Sequence, residues 1–242
     1  HNNAEAFDDA IKTWRADGGT GRPWIAVESL YSMDGDRAPL SDLATVARRH
    51  DGVLVIDEAH ATGVLGPDGR GLGHALEGAP DVISLHTCGK ALGTTGALLL
   101  GPRIFRDYLV NRARPFIYAT APSPLMAASV RAALDLVQSE AGAQRRERLA
   151  SLVAFAGREI ARRLGIEASG THIQPIVLGA DERAVSVAKT LIAEGFDIRA
   201  VRPPTVPEGT ARLRLSLTLN AGEEATARLL EALARTLQEV RV

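Results

Sequence analysis

Cysteine is nearly absent: Cys88 is the single one in 242 residues. No intramolecular disulfide can form, and no cysteine cluster can hold a metal. A reducing, cytoplasmic setting fits that usage. Net charge is also nearly absent, at −1 from 28 basic and 29 acidic residues, which excludes overall attraction to nucleic acid or an anionic membrane. No apolar run is long enough to span a bilayer, and no basic-then-apolar leader is present. There is no internal repeat and no low-complexity tract. The first residue is His1 rather than Met, as expected of a processed or partial chain.

Hydrophobic residues make up 45%, enough for a core, and they fall in two patterns. Short apolar runs at Trp24–Leu30, Val53–Ile56, Asp81–Leu85 and Ala97–Leu100 read as strands. A helix over Asn2–Ala16 and another after a cap at Ser41 alternate with them, which predicts βα units and a largely parallel sheet. From Pro122 the pattern turns helical, with amphipathic stretches at Leu125–Ser139 and Ala143–Leu164. A smaller α/β unit follows: strands near Ile173–Leu178, Phe196–Val201 and Ala211–Thr218, and helices near Glu182–Glu194 and Glu223–Val240. The expected boundary lies near Val137, giving domains 1–137 and 138–242.

Chemistry concentrates in four segments. In VLVIDEAHATG an apolar strand delivers Asp57 at its end, with His60 three residues on. Ligands of open α/β sheets bind beyond the carboxyl ends of strands. A carboxylate there can keep a pyridine nitrogen protonated, the electron sink that pyridoxal phosphate (PLP) chemistry requires. The plainer alternative is that Asp57 caps a turn and His60 packs nearby. The string DEAH also suggests a helicase, but that needs a G-x-x-x-x-G-K-[ST] loop. The only Gly-Lys is Gly89-Lys90, followed by Ala91, and the helicase reading is rejected.

In HTCGKALGTTGALLLG, Lys90 lies among Gly89, Gly93 and Gly96, small residues that let a bulky group approach the backbone. A partly desolvated lysine gives up its proton more readily and can form an imine. Thr87 offers a hydroxyl to a phosphate, and Cys88 reads as a small buried hydrophobe. The alternative is a surface lysine in a glycine-rich loop. In VESLYSMDGDRAPL, Ser32 precedes a turn and either stabilises it or bonds a phenolic oxygen. In AVRPPTVPEGTARLRLSLT, Arg202 is held by two prolines and suits a carboxylate. Arg212 and Arg214 alternate on one strand face and read as a solvated face or a structural ion pair.

Together and in this order, these segments resemble the α-oxoamine synthases, PLP enzymes of fold type I. The likeness is strongest in SMDGDRAPL, DEAHATGVLGPDGRG and RPPTVPEGTARLRLSLT. It implies an α/β fold comprising part of the fold type I large domain, a mostly parallel sheet flanked by helices, followed by a small α/β domain. It also implies N-terminal truncation, because the family carries a long stretch before His1. By resemblance, Lys90 would bind PLP, Asp57 would pair with the ring nitrogen, and His60 and Ser32 would contact the phenolic oxygen. Thr87 would bind phosphate and Arg202 the amino-acid carboxylate. FIYATAPSP resembles a segment that reaches the neighbouring subunit's phosphate, so Thr120 would act in trans in a homodimer. The implied reaction is decarboxylative condensation of L-alanine with pimeloyl-CoA, or pimeloyl on acyl carrier protein, in biotin biosynthesis. Another α-oxoamine synthase, or an inactive fragment of one, is the alternative. No metal, nucleic acid or membrane is implied. The chain departs from the family's pattern at Asn3, Cys88 and Ala221, where an aspartate, an aromatic and a histidine are usual.

Overall fold

A computed structural model describes residues 1–239. The chain divides into two compact units, His1–Tyr31 with Arg37–Ala143, and Ser32–Asp36 with Gln144–Val242.

The first unit is built on a four-stranded sheet in sequence order, β1 (Trp24–Glu28), β2 (Val53–Asp57), β3 (Val82–Thr87) and β4 (Ala97–Leu100). β1, β2 and β3 run parallel, in register Glu28 to Asp57 and Asp57 to Leu85. β4 returns antiparallel to β3, with Thr87 opposite Ala97. The mostly parallel sheet matches the sequence expectation. β1 is shorter than the apolar run Trp24–Leu30, because the ladder ends where Ser29 N–H donates to the Asp57 carbonyl at 2.9 Å. Leu30 instead bridges Arg37.

Helices α1 (Ala4–Ala16) and α2 (Leu40–Arg49) pack together. Their apolar faces supply Ile11, Leu43, Ala44 and Ala47 to a core shared with Ile25, Leu54 and Ile56. Asn3, not an acid, caps α1, its side chain accepting from Ala6 N–H at 3.2 Å. Ser41 does not cap α2: Pro39 holds that position, and Ser41 lies inside the first turn. Pro39 has no side-chain acceptor, so α2 begins without a side-chain cap hydrogen bond. Asp8 joins the two helices, pairing with Lys12 at 2.6 Å, His50 at 2.8 Å and Arg49 at 2.9 Å. The hydrogen bond from Lys12, then that from His50, holds its carboxyl well below the usual range.

Three further helices follow, α3 (Arg103–Arg112), α4 (Arg114–Ile117) and α5 (Pro124–Gln138). None carries a buried residue. Ile104, Tyr108, Phe116, Tyr118 and Leu125 are all exposed. α6 (Glu140–Leu164) follows α5 after Ser139.

The second unit has an antiparallel sheet, order β5 (Ile173–Gly179), β7 (Ala211–Ser216), β6 (Ala200–Val201). α7 (Asp181–Ala193) and α8 (Gly222–Glu239) bury Val187, Leu191, Leu230 and Leu233 against Ile176, Leu213 and Leu215. The expected strand Phe196–Val201 shrinks to two residues. Phe196 and Ile198 still pack on this core, so their burial is met without a ladder. Val240, the expected last residue of the final helix, lies outside the described residues. Arg212 is 5% exposed and makes a structural ion pair, Nη1 to Asp34 Oδ1 at 2.5 Å.

Candidate active site

The parallel order of β1, β2 and β3 brings their carboxyl ends to one edge of the sheet, where Asp57 and Thr87 end adjacent strands. Asp57 is half-buried, and its Oδ1 accepts from Ala59 N–H at 2.8 Å. That contact is the turn-capping alternative, and it coexists with the other one: Oδ2 carries no hydrogen bond among the described residues. His60 follows, half-buried, in the turn after β2.

Thr87 Oγ1 is buried with no hydrogen-bond partner. A buried hydroxyl without a partner costs on the order of 1–3 kcal/mol, and such an atom at a strand end fits an incoming acceptor. β3 then gives way to the loop that turns back into β4. Thr94 N–H donates to the Cys88 carbonyl and Cys88 N–H to the Gly96 carbonyl, both at 2.9 Å. Lys90 lies on this loop, its carbonyl accepting from Gly93 N–H at 3.0 Å. Gly93 and Gly96 have φ of +62° and +89°, a region open to glycine. The Lys90 side chain is exposed. The desolvation expected from sequence is therefore not provided by the chain's own residues: glycines flank the lysine and have no side chains to cover it. Cys88 is buried, as expected.

Thr120 is exposed in the segment between α4 and α5. In the second unit, Arg202 is exposed directly after β6, its carbonyl accepting from Thr205 N–H at 3.0 Å. Ser32 is half-buried, and its carbonyl accepts from Arg214 Nε at 2.5 Å. The structure thus gathers Asp57, Thr87 and Lys90 at one sheet edge and its adjoining loop, with His60 in the neighbouring turn.

Sequence reasoning passed over two residues here. Glu58 is 1% exposed. Its Oε2 accepts from Ser29 Oγ at 2.6 Å and Leu72 N–H at 3.1 Å, and its Oε1 from Gly73 N–H at 2.5 Å. A Cβ on Gly71 would stand 2.6 Å from Glu58 Cδ, and one on Gly73 2.8 Å from Oε1. The signal was present in the string, as the glycine-rich GRGLG. The second residue is His86, buried on β3 between Ser84 and Thr62. The period-2 rule places Ser84 and His86 on one face and Thr87 on the other.

A sheet of this order with a lysine loop after its third strand defines a class. The profile of the family described as aminotransferase class I and II matches residues 1–233, and the chain belongs to that family. Among its relatives, the 8-amino-7-oxononanoate synthase of Chromobacterium violaceum is 49% identical over 205 residues, 84% of this chain and 52% of that protein. The Saccharophagus degradans protein of the same name is 41% identical over 245 residues, 99% of this chain and 60% of that one. The chain thus spans about half the length of the curated relatives it matches, between 52% and 60% in these two. Of solved structures, SPT with its PLP internal aldimine superposes with a TM-score of 0.86 at 25% identity, covering 100% of this chain and 61% of that one. The 8-amino-7-oxononanoate synthase of Francisella tularensis gives 0.78 at 24% identity, over 96% and 68%.

Proposed function

We propose that the protein is a PLP-dependent C-acyltransferase that condenses L-alanine with pimeloyl-CoA, or pimeloyl-acyl carrier protein, to 8-amino-7-oxononanoate in biotin biosynthesis. The observation that carries the cofactor is the buried, partnerless Thr87 hydroxyl beside a strand-end carboxylate and a lysine loop. The curated relatives at 41–49% identity carry the choice of reaction.

When bound, PLP supplies an electron sink for the pair left on the amino acid's Cα. Lys90 Nζ would be the amine that holds it covalently and the base that moves the Cα proton. Asp57 holds a proton on the ring nitrogen through the favourable field of its carboxylate. Thr87 Oγ1 would hold the phosphate, and His60 and Ser32 would hold the phenolic oxygen. Arg202 orients the substrate carboxylate with a two-pronged guanidinium. Those last roles are taken from the match of these positions to the family's pattern. Domains 1–137, for the cofactor, and 138–242, a small α/β domain, are part of the same reading.

A homodimer completes the proposal, with Thr120 reaching the partner's phosphate. The exposed apolar side chains of α3, α4 and α5 support a covered face there, since contiguous exposed apolar surface marks an interaction site. The setting is proposed as cytoplasmic; no helix among the described residues is long and apolar enough to cross a membrane.

The test is the absorbance of the protein on adding PLP. An imine band near the visible edge is expected, absent in Lys90→Ala. Asp57→Asn should still capture PLP but lose turnover with alanine by a factor of ~100 or more, in the range of a lost catalytic proton relay. A Lys90→Ala protein that forms the band and turns over defeats the reading. Turnover with glycine or serine in place of alanine would move it to another α-oxoamine synthase, and no turnover with any donor to a non-catalytic chain.

A further inference from the structure

His86 opens the segment that carries Lys90 but was given no role there, yet it is only 7% exposed and hydrogen-bonded at both ring nitrogens. Its Nδ1 is 2.8 Å from Thr62 Oγ1, and its Nε2 is 3.0 Å from Ser84 Oγ. Thr62 Oγ1 also lies 2.8 Å from the Glu58 carbonyl.

The proton count fixes the direction of this chain. A carbonyl only accepts, and a threonine hydroxyl has one proton. For both contacts to be hydrogen bonds, Thr62 donates to Glu58 and accepts from His86. The proton of the ring is then on Nδ1, and Nε2 accepts from the Ser84 hydroxyl. Burial lowers the affinity of His86 for a second proton, partly opposed by Glu58, Glu77 and Asp57. The shift favours the neutral ring, the form in which Nε2 can accept from Ser84. The result is a one-way chain from β3 to the turn that follows Asp57.

What lies at its ends gives the chain a purpose. Glu58 is the residue after Asp57, and Thr87 the residue after His86. The Asp57–Thr62 turn is gripped on one side by the Glu58 carboxylate and on the other by His86. Two groups proposed to meet one cofactor are thereby tied to each other by the backbone beneath them.

We propose that His86, as its Nδ1–H tautomer, is a positioning residue that acts through Thr62 to fix the heading of the Asp57 carboxylate relative to Thr87. The proposal rests on the cofactor reading for its purpose, and its test does not require the cofactor.

Two cofactor-free measurements decide it. Long-range proton–nitrogen NMR at pH 8 should show His86 protonated at Nδ1 and bare at Nε2. An Nε2–H ring, or an averaged pattern, overturns the proposal. Hydrogen exchange at Ala59 reports the heading of Asp57 directly, because that N–H is bonded to its carboxylate. Exchange at Ala59 should quicken about tenfold in His86→Ala and Thr62→Val, corresponding to about 1.4 kcal/mol of local protection. It should stay within about twofold of wild type in Thr62→Ser, which keeps the hydroxyl, while Leu54 in the core of the same unit is unchanged. Equal quickening at Leu54 and Ala59 would mean general destabilisation and overturn the claim, as would unchanged exchange at Ala59. PLP retention should follow the same order among the variants. A wild type that captures no PLP defeats the functional reading alone, and the exchange result still decides the positioning role.

Discussion

Replacing Glu58 with glutamine changes one oxygen to an amide nitrogen at nearly constant shape, and the structure says what that does. Both carboxylate oxygens face donors only: Ser29 Oγ–H and Leu72 N–H on Oε2, Gly73 N–H on Oε1. In either rotamer the new NH₂ group meets a backbone N–H that cannot turn round. Ser29 can rotate its hydroxyl to accept, but Leu72 and Gly73 have no such freedom. One buried amide is orphaned, at about 1–3 kcal/mol, and the surviving bonds lose their charge assistance, about 1 kcal/mol more. A neutral amide is cheaper to bury than a carboxylate, which offsets part of this. The net expectation for Glu58→Gln is a loss of about 2–3 kcal/mol. Ser29→Ala removes one donor and leaves both amides paired, so it should cost only about 1 kcal/mol. Urea unfolding followed by tryptophan fluorescence suits the comparison, because both tryptophans, Trp14 and Trp24, belong to the first unit. A Glu58→Gln protein within about 0.5 kcal/mol of wild type, inside the scatter of ordinary surface substitutions, would refute the claim that this carboxylate splints the turn.

In the second unit, burial, with a smaller contribution from Arg214, pushes the His172 imidazole down to about 4, and its Nδ1 is buried without a hydrogen bond. The unfolded chain takes up a proton near the ordinary value of 6.5, so the stability from a neutral His172 is complete above that pH. It is lost as pH falls from 6.5 towards 4, by about 3 kcal/mol in total. Chemical unfolding followed by circular dichroism at pH 7.5 and pH 4.5 should show this loss in wild type and most of it removed in His172→Asn; an identical loss in both assigns the effect elsewhere. Arg202→Ala should raise the KM for alanine at least about tenfold, the worth of a charge-assisted bond, with kcat little changed. Arg214→Ala should instead lower stability, because its guanidinium is already bonded to the Ser32 carbonyl and Ser216 Oγ. If the two effects are exchanged, the carboxylate-binding role passes to β7.

The parts of this chain legible in the sequence are those in which one local rule decides. The strand Val53–Asp57 is such a case, since an apolar run buried by parallel neighbours ends where the first charge appears. The pairing direction of β4 was not legible. Nothing within ALLL distinguishes a parallel strand from an antiparallel one, and the direction is set by a loop too short for a crossover. The run Phe196–Val201 shows the converse error. Apolar content predicts burial, and burial was found, but ladder formation also needs a facing edge, and only Ala200 and Val201 have one on β7.

The candidate site divides along the same line. Asp57, Thr87 and Lys90 could be picked out because strand ends and glycine-rich loops are visible in a string. Glu58 left a trace only in the distant glycine-rich GRGLG, and His86 left none, because their importance lies in partners 14 to 29 residues away. The exposure of Lys90 is the most instructive difference. Glycines permit a cofactor to approach, but by the same absence of side chains they cannot desolvate an amine. If Lys90 is to react as proposed, its covering must come from outside the loop, from a bound cofactor or from another polypeptide surface. Lys90 reactivity towards an aldehyde should therefore depend on protein concentration wherever assembly supplies that cover, and a rate unchanged across the monomer–dimer transition would leave the cofactor itself as the only source of desolvation.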